Sequence, residues 1–538
     1  MTGQPARSGR WGAPLAVAAA IWVAAGTAGA PAGATAHSSR PLDSSSWPVY
    51  HHDAAGTGVA APVAAVDTTA RAWTSPALDG EIYGEPLVSS GRVYVATEND
   101  TVYALSSATG AVAWSAHLGR PVPARSLPCG NLTPAVGITG TPVIDPSRGE
   151  IFVVADELVN GRPAHMLVGL STASGKSEMT RDVDPAGADT AALLQRTGLT
   201  LDDGQVVFGF GGNFGDCASY RGRLVAVSEG GGAPADFTVD AAAGESQGAI
   251  WMGGAAPAVD SSGHLWVSVG NGSVSSDAHA YDNSDSVLEL SPSLRLLQFF
   301  APSTWAADNS RDLDMATEPA LLPDGSVMVA GKARIAYLLS GANLGGIGRQ
   351  QASLGSVCSQ DVDGGTAVQG TTVYLPCLSG IIAVQARPSP SALRLLWSSG
   401  TGGGPPIVAA GLVWTIGQNG TLYGLDPATG KVRQQASIGA QANHFPTPSV
   451  GDGLLLAPSA DRVVAFTAAA PGASATAAPV TIPSTAPRTA SAGRPASQSG
   501  AGRRGTVTPG IIAGIVAALM LIGGLGWFAG RRRAGRTR

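Results

Sequence analysis

The sequence predicts an all-β fold, an eight-bladed β-propeller, on three observations. The segment from Gly91 to Trp114 recurs at Gly411–Val432, 320 residues later and without a gap. Weaker copies of the same unit occur between these two, and their spacing of 41 to 62 residues suits propeller blades with loops of variable length. Short β-rich runs bounded by Gly, Pro, Asp and Ser dominate, and no long segment has helical periodicity.

Each copy begins with a glycine in a predicted turn, which two β-rich runs follow. The eight glycines are Gly91, Gly149, Gly204, Gly263, Gly325, Gly370, Gly411 and Gly453. The second runs are rich in β-branched and aromatic residues, and they read TVYALS, HMLVGLS, GRLVAVS, SVLELS, RIAYLLS, GIIAVQA, GTLYGLD and DRVVAFT. Eight units of about four strands each fit a radial repeat fold.

The two ends of the repeat array predict how the ring closes. After DRVVAFT the chain enters a segment without strand signals, so the eighth blade lacks its outermost strand. The unpaired segment Ala70–Leu78 matches the fourth strand of blade one, Ala111–Leu118, and the match aligns Trp73 with Trp114. We therefore expect Ala70–Leu78 to complete blade eight, because a closed ring leaves only short, protected edges.

Both termini carry targeting signals. Residues 1–36 predict a signal peptide, with Arg7 and Arg10 ahead of a short apolar stretch, and an uncleaved anchor is the alternative. Residues 509–530 are uncharged and long enough to cross a bilayer as a helix, and the basic tail 531–538 predicts a cytoplasmic C-terminus. We expect a single-pass protein of the cell membrane with its propeller outside.

Three further segments complete the predicted organisation. Residues 37–69 form an N-terminal lead-in, 70–467 form the propeller, and 468–508 form a disordered stalk that lacks the large apolar residues of a core. All 38 acidic residues but only 22 of the 33 basic residues lie within 37–467. This acidic folded part argues against nucleic acid as a partner, because phosphates would be repelled.

Four cysteines in an exported chain predict two disulfides. Cys358 precedes the first strand of blade six and Cys377 lies near the end of its second, so adjacent antiparallel strands could bring them together. Cys129 and Cys217 lie in loops that would pair across blades two and three. The chain has no CxxC motif and no nearby His-rich segment, which argues against zinc at these cysteines.

The repeat resembles that of a known family. VYALSSATGAVAW and LYGLDPATGKV are similar to the repeat of quinoprotein-type β-propellers, and SSWPVYHHDAAGTG (45–58) resembles the lead-in that often precedes them. The resemblance covers about 45–467. It implies the propeller fold, but the family includes dehydrogenases that use pyrroloquinoline quinone and also a non-catalytic scaffold of the outer-membrane β-barrel assembly machinery. The fold therefore does not decide the function.

The resemblance also implies two candidate site residues. Dehydrogenases of the family hold calcium with a Glu, an Asn and an Asp, use a nearby Asp as base, and carry a vicinal Cys–Cys disulfide. GHLWVSVGNGSV and DNSRDLDMATEP resemble the family's segments, which implies Asn271 as a calcium ligand and Asp312 as catalytic base or ligand. The chain has no Cys–Cys pair, and AVGITGTPVIDP (135–146), which resembles the calcium-Glu segment, has no Glu. The alternative is that both residues only shape turns.

Other candidate residues give weaker signals. His51, His52 and Asp53 could bind a metal ion, but adjacent residues of a strand point to opposite faces and do not easily share one ion. Trp251, at the entry to blade four, is expected in the core. His444, at the start of the inner strand of blade eight, is expected to be structural, and a position facing the channel is the alternative.

These observations favour a binding or scaffold module that presents a loop face to envelope proteins or to an extracellular ligand, without a cofactor. The alternative is an oxidoreductase, similar to the alcohol dehydrogenases that depend on pyrroloquinoline quinone and calcium. The missing Glu and the missing Cys–Cys pair favour the binding module.

Overall fold

The predicted all-β, eight-bladed propeller is confirmed. The computed structural model describes residues 45–63, 65–441 and 444–469, and within this part eight antiparallel sheets follow one another along the chain. The predicted signal peptide, the membrane span, the basic tail and the stalk beyond Ala469 lie outside the described residues. Within the described ranges, no helix is long and apolar enough to cross a bilayer.

Each of blades one to four has four strands in chain order from the channel outward. Their bounds are Leu87–Ser89, Arg92–Thr97, Thr101–Ser106 and Val112–His117 in blade one; Val143–Asp145, Glu150–Val159, Arg162–Ser171 and Ser177–Asp182 in blade two; Thr200–Asp202, Gln205–Gly212, Arg223–Ser228 and Ala235–Thr238 in blade three; and Ala258–Val259, Leu265–Val269, Ser286–Leu290 and Leu296–Ala301 in blade four.

Blades five to seven repeat this order, and blade eight takes its outer strands from the N-terminus. The bounds are Ala320–Leu321, Ser326–Ala330, Ile335–Ser340 and Ala352–Gly355 in blade five; Ala367–Gln369, Thr372–Cys377, Gly380–Pro388 and Ser391–Ser398 in blade six; Ile407–Ala409, Leu412–Gly417, Thr421–Leu425 and Val432–Ser437 in blade seven; and Ser449–Gly451, Leu454–Ser459, Arg462–Ala469, Ala65–Asp67 and Trp73–Thr74 in blade eight.

Several short elements lie outside this pattern. The strand Leu193–Leu194 pairs with the end of the second strand of blade three, Gly346–Ile347 runs parallel to the outer strand of blade four, and Val122–Pro123 pairs with Ala135–Val136. The helical turns of the described residues are Ala124–Ser126, Met252–Gly254 and Trp305–Asn309.

The strand sequences follow from the position of each strand in its blade. A second strand such as Leu412–Gly417 is buried on both sides by neighbouring blades, so its residues are almost all apolar. An outer strand such as Val432–Ser437 alternates half-buried and exposed side chains, so it can carry Arg and Gln. All eight repeat glycines lie in the hairpins between first and second strands, with φ between 61° and 81°.

The N-terminal strand closes the ring as the sequence predicts. Trp73 and Thr74 pair antiparallel with Ala465 and Val464 of the last strand. Upstream, Ala65–Asp67 continues the same edge, so residues of the predicted lead-in also belong to blade eight. The last strand correspondingly runs to Ala469, into the segment that the sequence assigns to the stalk.

A tryptophan of one blade packs on a glycine turn of the next. Trp73 donates its indole N–H to the Ser107 carbonyl at 2.7 Å, and its ring lies against Gly110 of blade one. Trp397 of blade six does the same at the Pro427 carbonyl, 2.9 Å away, against Gly430 of blade seven. The match of Trp73 with Trp114 therefore reflects a shared contact between blades, since Trp114 packs on Gly175 of blade two.

The lead-in Ser45–Gly58, which we call the plug, fills the end of the channel where first strands turn into second strands. Six blades donate backbone N–H groups to its carbonyls at 2.7–2.9 Å: Asp452 to Ser45, Val88 to Trp47, Ile144 to Pro48, Val259 to Ala54, Val368 to Thr57 and Val408 to Gly58. Blade three approaches Tyr50 through Gly198, and blade five approaches Gly56 through Glu318. One short segment thus contacts all eight blades.

His51 lies at the centre of the plug. It is fully buried, its Nδ1 lies 2.9 Å from the Thr366 carbonyl, and its backbone N–H donates to Glu85 at 2.8 Å. Burial lowers the pKa of His51 to about 4, so the ring is neutral at pH 7 and donates from Nδ1. The premise that His51 and His52 lie in a strand is wrong, because both adopt positive φ in a turn.

Both predicted disulfides are confirmed. Cys129 bonds Cys217 and Cys358 bonds Cys377, with Cα–Cα distances of 6.1 and 6.0 Å. The sequence separations are 88 and 19 residues. In the entropic model each closed loop adds roughly 3–4.5 kcal/mol of stability by restricting the unfolded chain.

The contact between Trp397 and Gly430 can be tested with a matched glycine. Gly411 and Gly430 of blade seven have φ values of 70° and 68°, so alanine strains both backbones by about 1 kcal/mol. A Cβ on Gly430 would lie 2.4 Å from Cε3 of Trp397, whereas Gly411 has open space. We expect Gly430→Ala to cost roughly 1–3 kcal/mol more than Gly411→Ala in denaturant unfolding. Equal losses would show that the indole does not pack closely there.

Candidate functional site

The candidate site lies at the end of the channel away from the plug, which we call the mouth. Second strands end there and first strands begin there, so loops from several blades meet. Asn271 follows the second strand of blade four, and Trp251 precedes its first strand. Asp312 and Asp314 precede the first strand of blade five, and Lys332 follows its second strand. These five residues are the mouth cluster.

Asn271 and Asp312 are linked through two residues that the sequence analysis did not identify, Asp314 and Lys332. Asp314 is buried, and its Oδ1 accepts the backbone N–H of Asn271 at 2.7 Å. Its Oδ2 lies 2.7 Å from the Lys332 ammonium, which also bonds Asp312 at 3.0 Å. The Asp312 side chain is 65% exposed. The buried carboxylate beside Asn271 is therefore Asp314.

Lys332 is the cation of the cluster. Burial disfavours the charged ammonium, but the carboxylates of Asp314 and Asp312 outweigh it, so the pKa of Lys332 is raised and the side chain stays charged. Its Nζ also lies 5.5 Å from the centre of the Trp251 ring, within the range of a cation–π interaction. Trp251, expected in the core, is half-buried at the mouth, where its ring also approaches Phe445.

Further side chains fix the turn at Asn271. The backbone N–H of Gly272 donates to Oδ1 of Asn309 at 2.7 Å. A Cβ on Gly272 would lie only 2.6 Å from Oδ2 of Asp282, so this position needs glycine. Asp282 in turn accepts the N–H and O–H of Ser284. The turn is thus held from three sides, which suits a structural role for Asn271 as much as a ligand role.

More carboxyl groups surround the cluster. Burial raises the pKa of Asp363 to about 7, and its Oδ1 has no hydrogen-bond partner among the described residues. Burial also raises the pKa of Asp216, which accepts a hydrogen bond from Tyr220 at 2.8 Å. Both acids interact electrostatically with Lys332. Several carboxyl groups of the mouth therefore surround the Lys332 ammonium.

A second cation at the mouth is paired with aromatic rings. Arg196 is buried, and its guanidinium lies 5.4 Å from the Tyr83 ring centre and 5.5 Å from that of Phe445. Its Nη2 donates to the His444 carbonyl at 3.2 Å. The His444 ring is exposed and accepts a hydrogen bond from the Asn131 amide at 2.7 Å. His444 thus lies at the rim and positions Arg196 through its backbone.

One disulfide fixes the rim of the mouth. Cys217 belongs to the loop between the second and third strands of blade three, and Cys129 precedes blade two. Phe214, three residues before Cys217, is 68% exposed. The disulfide therefore holds a loop that presents a large apolar side chain to solvent.

These residues do not fit a calcium ion in the way that the resemblance implies. Lys332 already neutralises Asp312 and Asp314, and a calcium ion on these carboxylates would meet a like charge. Calcium also takes six to eight oxygen ligands, whereas the Asp312 side chain is 65% exposed and Asn271 is buried. The roles of Asn271 and Asp312 in metal binding or catalysis stay predictions.

Comparisons with known proteins agree on the fold and leave the activity open. A family model described as outer membrane protein assembly factor BamB matches residues 60–282. The quinohemoprotein alcohol dehydrogenase of Comamonas testosteroni is 15% identical, covers 79% of this chain and 80% of its own, and superposes with a TM-score of 0.60. A europium-containing methanol dehydrogenase is 13% identical and superposes with a TM-score of 0.59. The match covers 79% of this chain and 98% of that protein. No curated protein sequence matches the chain.

The quinoprotein-like propeller fold is thus confirmed, with relatives in two functional classes. At these identities, the structural likeness shows the fold alone.

The internal ion pair of the mouth can be tested against an exposed one. We expect Lys332→Gln to destabilise the protein by about 3–5 kcal/mol, because it leaves Asp314 buried without its cation. Lys176 pairs with Glu178 on the surface and is 73% exposed, so Lys176→Gln should change stability by less than about 0.5 kcal/mol. Denaturant unfolding of both variants measures the difference. Similar losses would contradict a buried, stabilising role for Lys332.

Proposed function

We propose that the chain is an extracytoplasmic binding module, tethered to the cell membrane through residues 509–530, that binds envelope proteins or an extracellular ligand at the mouth. The observation that carries this proposal is the ion pairing of Lys332 with Asp312 and Asp314. The carboxylates that a calcium-dependent oxidation would need are occupied by a side chain of the same protein. The match of 60–282 to the family model of an assembly factor supports a binding role.

The chemistry of the mouth also supports recognition. Phe214, Trp251 and Phe445 present aromatic surface that is exposed or half-buried, next to the buried Arg196. Aromatic side chains and arginine are the residues most enriched where interfaces gain their affinity. The Cys129–Cys217 disulfide holds the Phe214 loop before a partner arrives, so less loop entropy is lost on binding.

A calcium- and quinone-dependent oxidoreductase is the second candidate. The observation that favours it is Trp251, whose ring lies half-buried at the mouth, where a planar quinone could stack. Asn271 lies in the same mouth cluster, and the two dehydrogenases share the fold. The missing Glu, the missing Cys–Cys pair and the placement of Lys332 weigh against it.

A titration separates the two candidates. We expect no saturable heat when pyrroloquinoline quinone and calcium are titrated into the full chain in detergent, because the Lys332 ammonium already pairs with Asp312 and Asp314 and would repel the metal ion. A calcium-dependent complex that disappears in Asp312→Ala would support the oxidoreductase and contradict the binding module. Asp312 is exposed, so this variant should fold.

Photo-crosslinking tests the position of the binding surface. A photoreactive amino acid at position 214 of the full chain should give crosslinks to envelope proteins in intact cells, because that side chain is 68% exposed on a loop at the rim. The matched control is position 112, where Val112 is 41% exposed and begins the outer strand of blade one beside the Gly110 turn, at the end of the blade away from the mouth. Equal crosslinking at the two positions would argue against the mouth as the docking surface.

A further inference from the structure

A histidine and two carboxylates converge at the end of blade four that faces away from the mouth. Asp260 and His264 lie in the hairpin between its first and second strands, and Glu289 lies on its third strand. One ligand atom of each lies within 4.8 Å of the other two. Nδ1 of His264 is 2.6 Å from Oε1 of Glu289 and 3.7 Å from Oδ2 of Asp260. No other group of this kind occurs among the residues that the structure describes.

The hairpin itself orients the first carboxylate. Oδ1 of Asp260 accepts the backbone N–H groups of Ser262 and His264 at 2.7 and 3.0 Å. Its Oδ2 accepts the Trp266 indole N–H at 3.0 Å and faces His264. A carboxylate held by outer hydrogen bonds in this way presents one oxygen in a fixed direction, as ligands of metal sites do.

A glutamine from the outer strand orients the second carboxylate. The Gln298 amide donates to Oε2 of Glu289, which leaves Oε1 directed at His264. Gln298 is itself anchored, because it donates to the Gly341 carbonyl at 2.7 Å and accepts the Leu344 N–H at 2.7 Å. Glu289 is only 6% exposed, so its geometry does not depend on a mobile surface side chain.

A further carboxylate lies close to the group, on the neighbouring blade, and interacts electrostatically with Asp260 and His264. Asp202 lies in the equivalent hairpin of blade three, and its Oδ1 is 3.5 Å from the position of a Cβ on Gly263. Its Oδ2 is buried and has no hydrogen-bond partner among the described residues. Burial raises the pKa of Asp202 to about 6, with further contributions from Asp203 and Asp260. A bound cation would satisfy this oxygen.

We propose that Asp260, His264 and Glu289, completed by Asp202, bind one divalent first-row transition-metal ion, with zinc as the best match. One imidazole nitrogen and several carboxylate oxygens suit zinc at about 2.0–2.2 Å from each ligand. Ligand atoms of a tetrahedral site then lie about 3.3–3.5 Å from one another. The distance from Nδ1 of His264 to Oε1 of Glu289 must therefore increase by less than about 1 Å, and the distance to Oδ2 of Asp260 changes little. Calcium and magnesium are disfavoured, because they take oxygen ligands and not imidazole.

The ion replaces a proton. In its absence, Nδ1 of His264 carries the hydrogen that bonds Oε1 of Glu289. Coordination through Nδ1 releases this proton to solvent, so binding weakens as the pH falls. His264 is 34% exposed, which gives the ion a path from solution. The site joins hairpins of blades three and four on the plugged side of the ring and is independent of the function proposed for the mouth.

Titration of zinc chloride into the metal-free full chain in detergent tests the proposal. We expect one ion per chain, proton release on binding, and a higher melting temperature with zinc than with a chelator. His264→Gln should weaken binding at least 100-fold, and Asp202→Asn about 10-fold. The control is His279→Gln, an exposed residue of the same blade outside the site, which should bind as the unmodified protein does.

Cobalt gives a readout that needs no variant. Co²⁺ bound to the unmodified chain should show the intense visible bands of tetrahedral coordination, and zinc should remove them. Absence of saturable zinc binding, or equal binding by His264→Gln and His279→Gln, would overturn the proposal. Octahedral cobalt bands in the unmodified chain would overturn it even if His264→Gln failed to fold.

Discussion

Closure of the ring is the constraint on which the other features depend. The central strands of each blade are apolar on both sides, so every blade needs a neighbour on each side to keep these strands from water. Blades one and eight obtain theirs because Trp73 and Thr74 pair with the last strand and the Trp73 ring packs on the Gly110 turn. The relative positions of the mouth, the plug and the group of Asp260, His264 and Glu289 are set by this closure.

The two cations of the mouth, Lys332 and Arg196, find their partners within the protein. Lys332 contacts two carboxylates and one indole ring, and Arg196 lies against two aromatic rings and donates to backbone carbonyls. An ammonium delivered by the chain has no dissociation equilibrium with solution, unlike a bound metal ion. The carboxylate that accepts the Asn271 backbone N–H is thus paired with a cation of the protein itself.

The features that repeat from blade to blade could be predicted from the sequence. Turn glycines, strand composition and the alignment of Trp73 with Trp114 follow from contacts that recur in successive blades, and the cysteine positions within the repeat predicted both disulfides. The plug was missed because its hydrogen bonds to six blades join backbone groups, which leave no side-chain signature. Lys332 was missed because it reaches Asp314 from another loop of blade five, and the resemblance drew attention to the exposed Asp312.

The plug has a consequence for the order of folding. Its residues leave the ribosome before any blade exists, yet their backbone partners reach as far as Asp452, about 400 residues later. Contacts so distant in sequence form late and slowly, because the long loop must close before they contribute. The pairing of the plug can therefore be completed only after the last blade has formed, and a strand edge that captures the plug earlier leads to a misassembled ring.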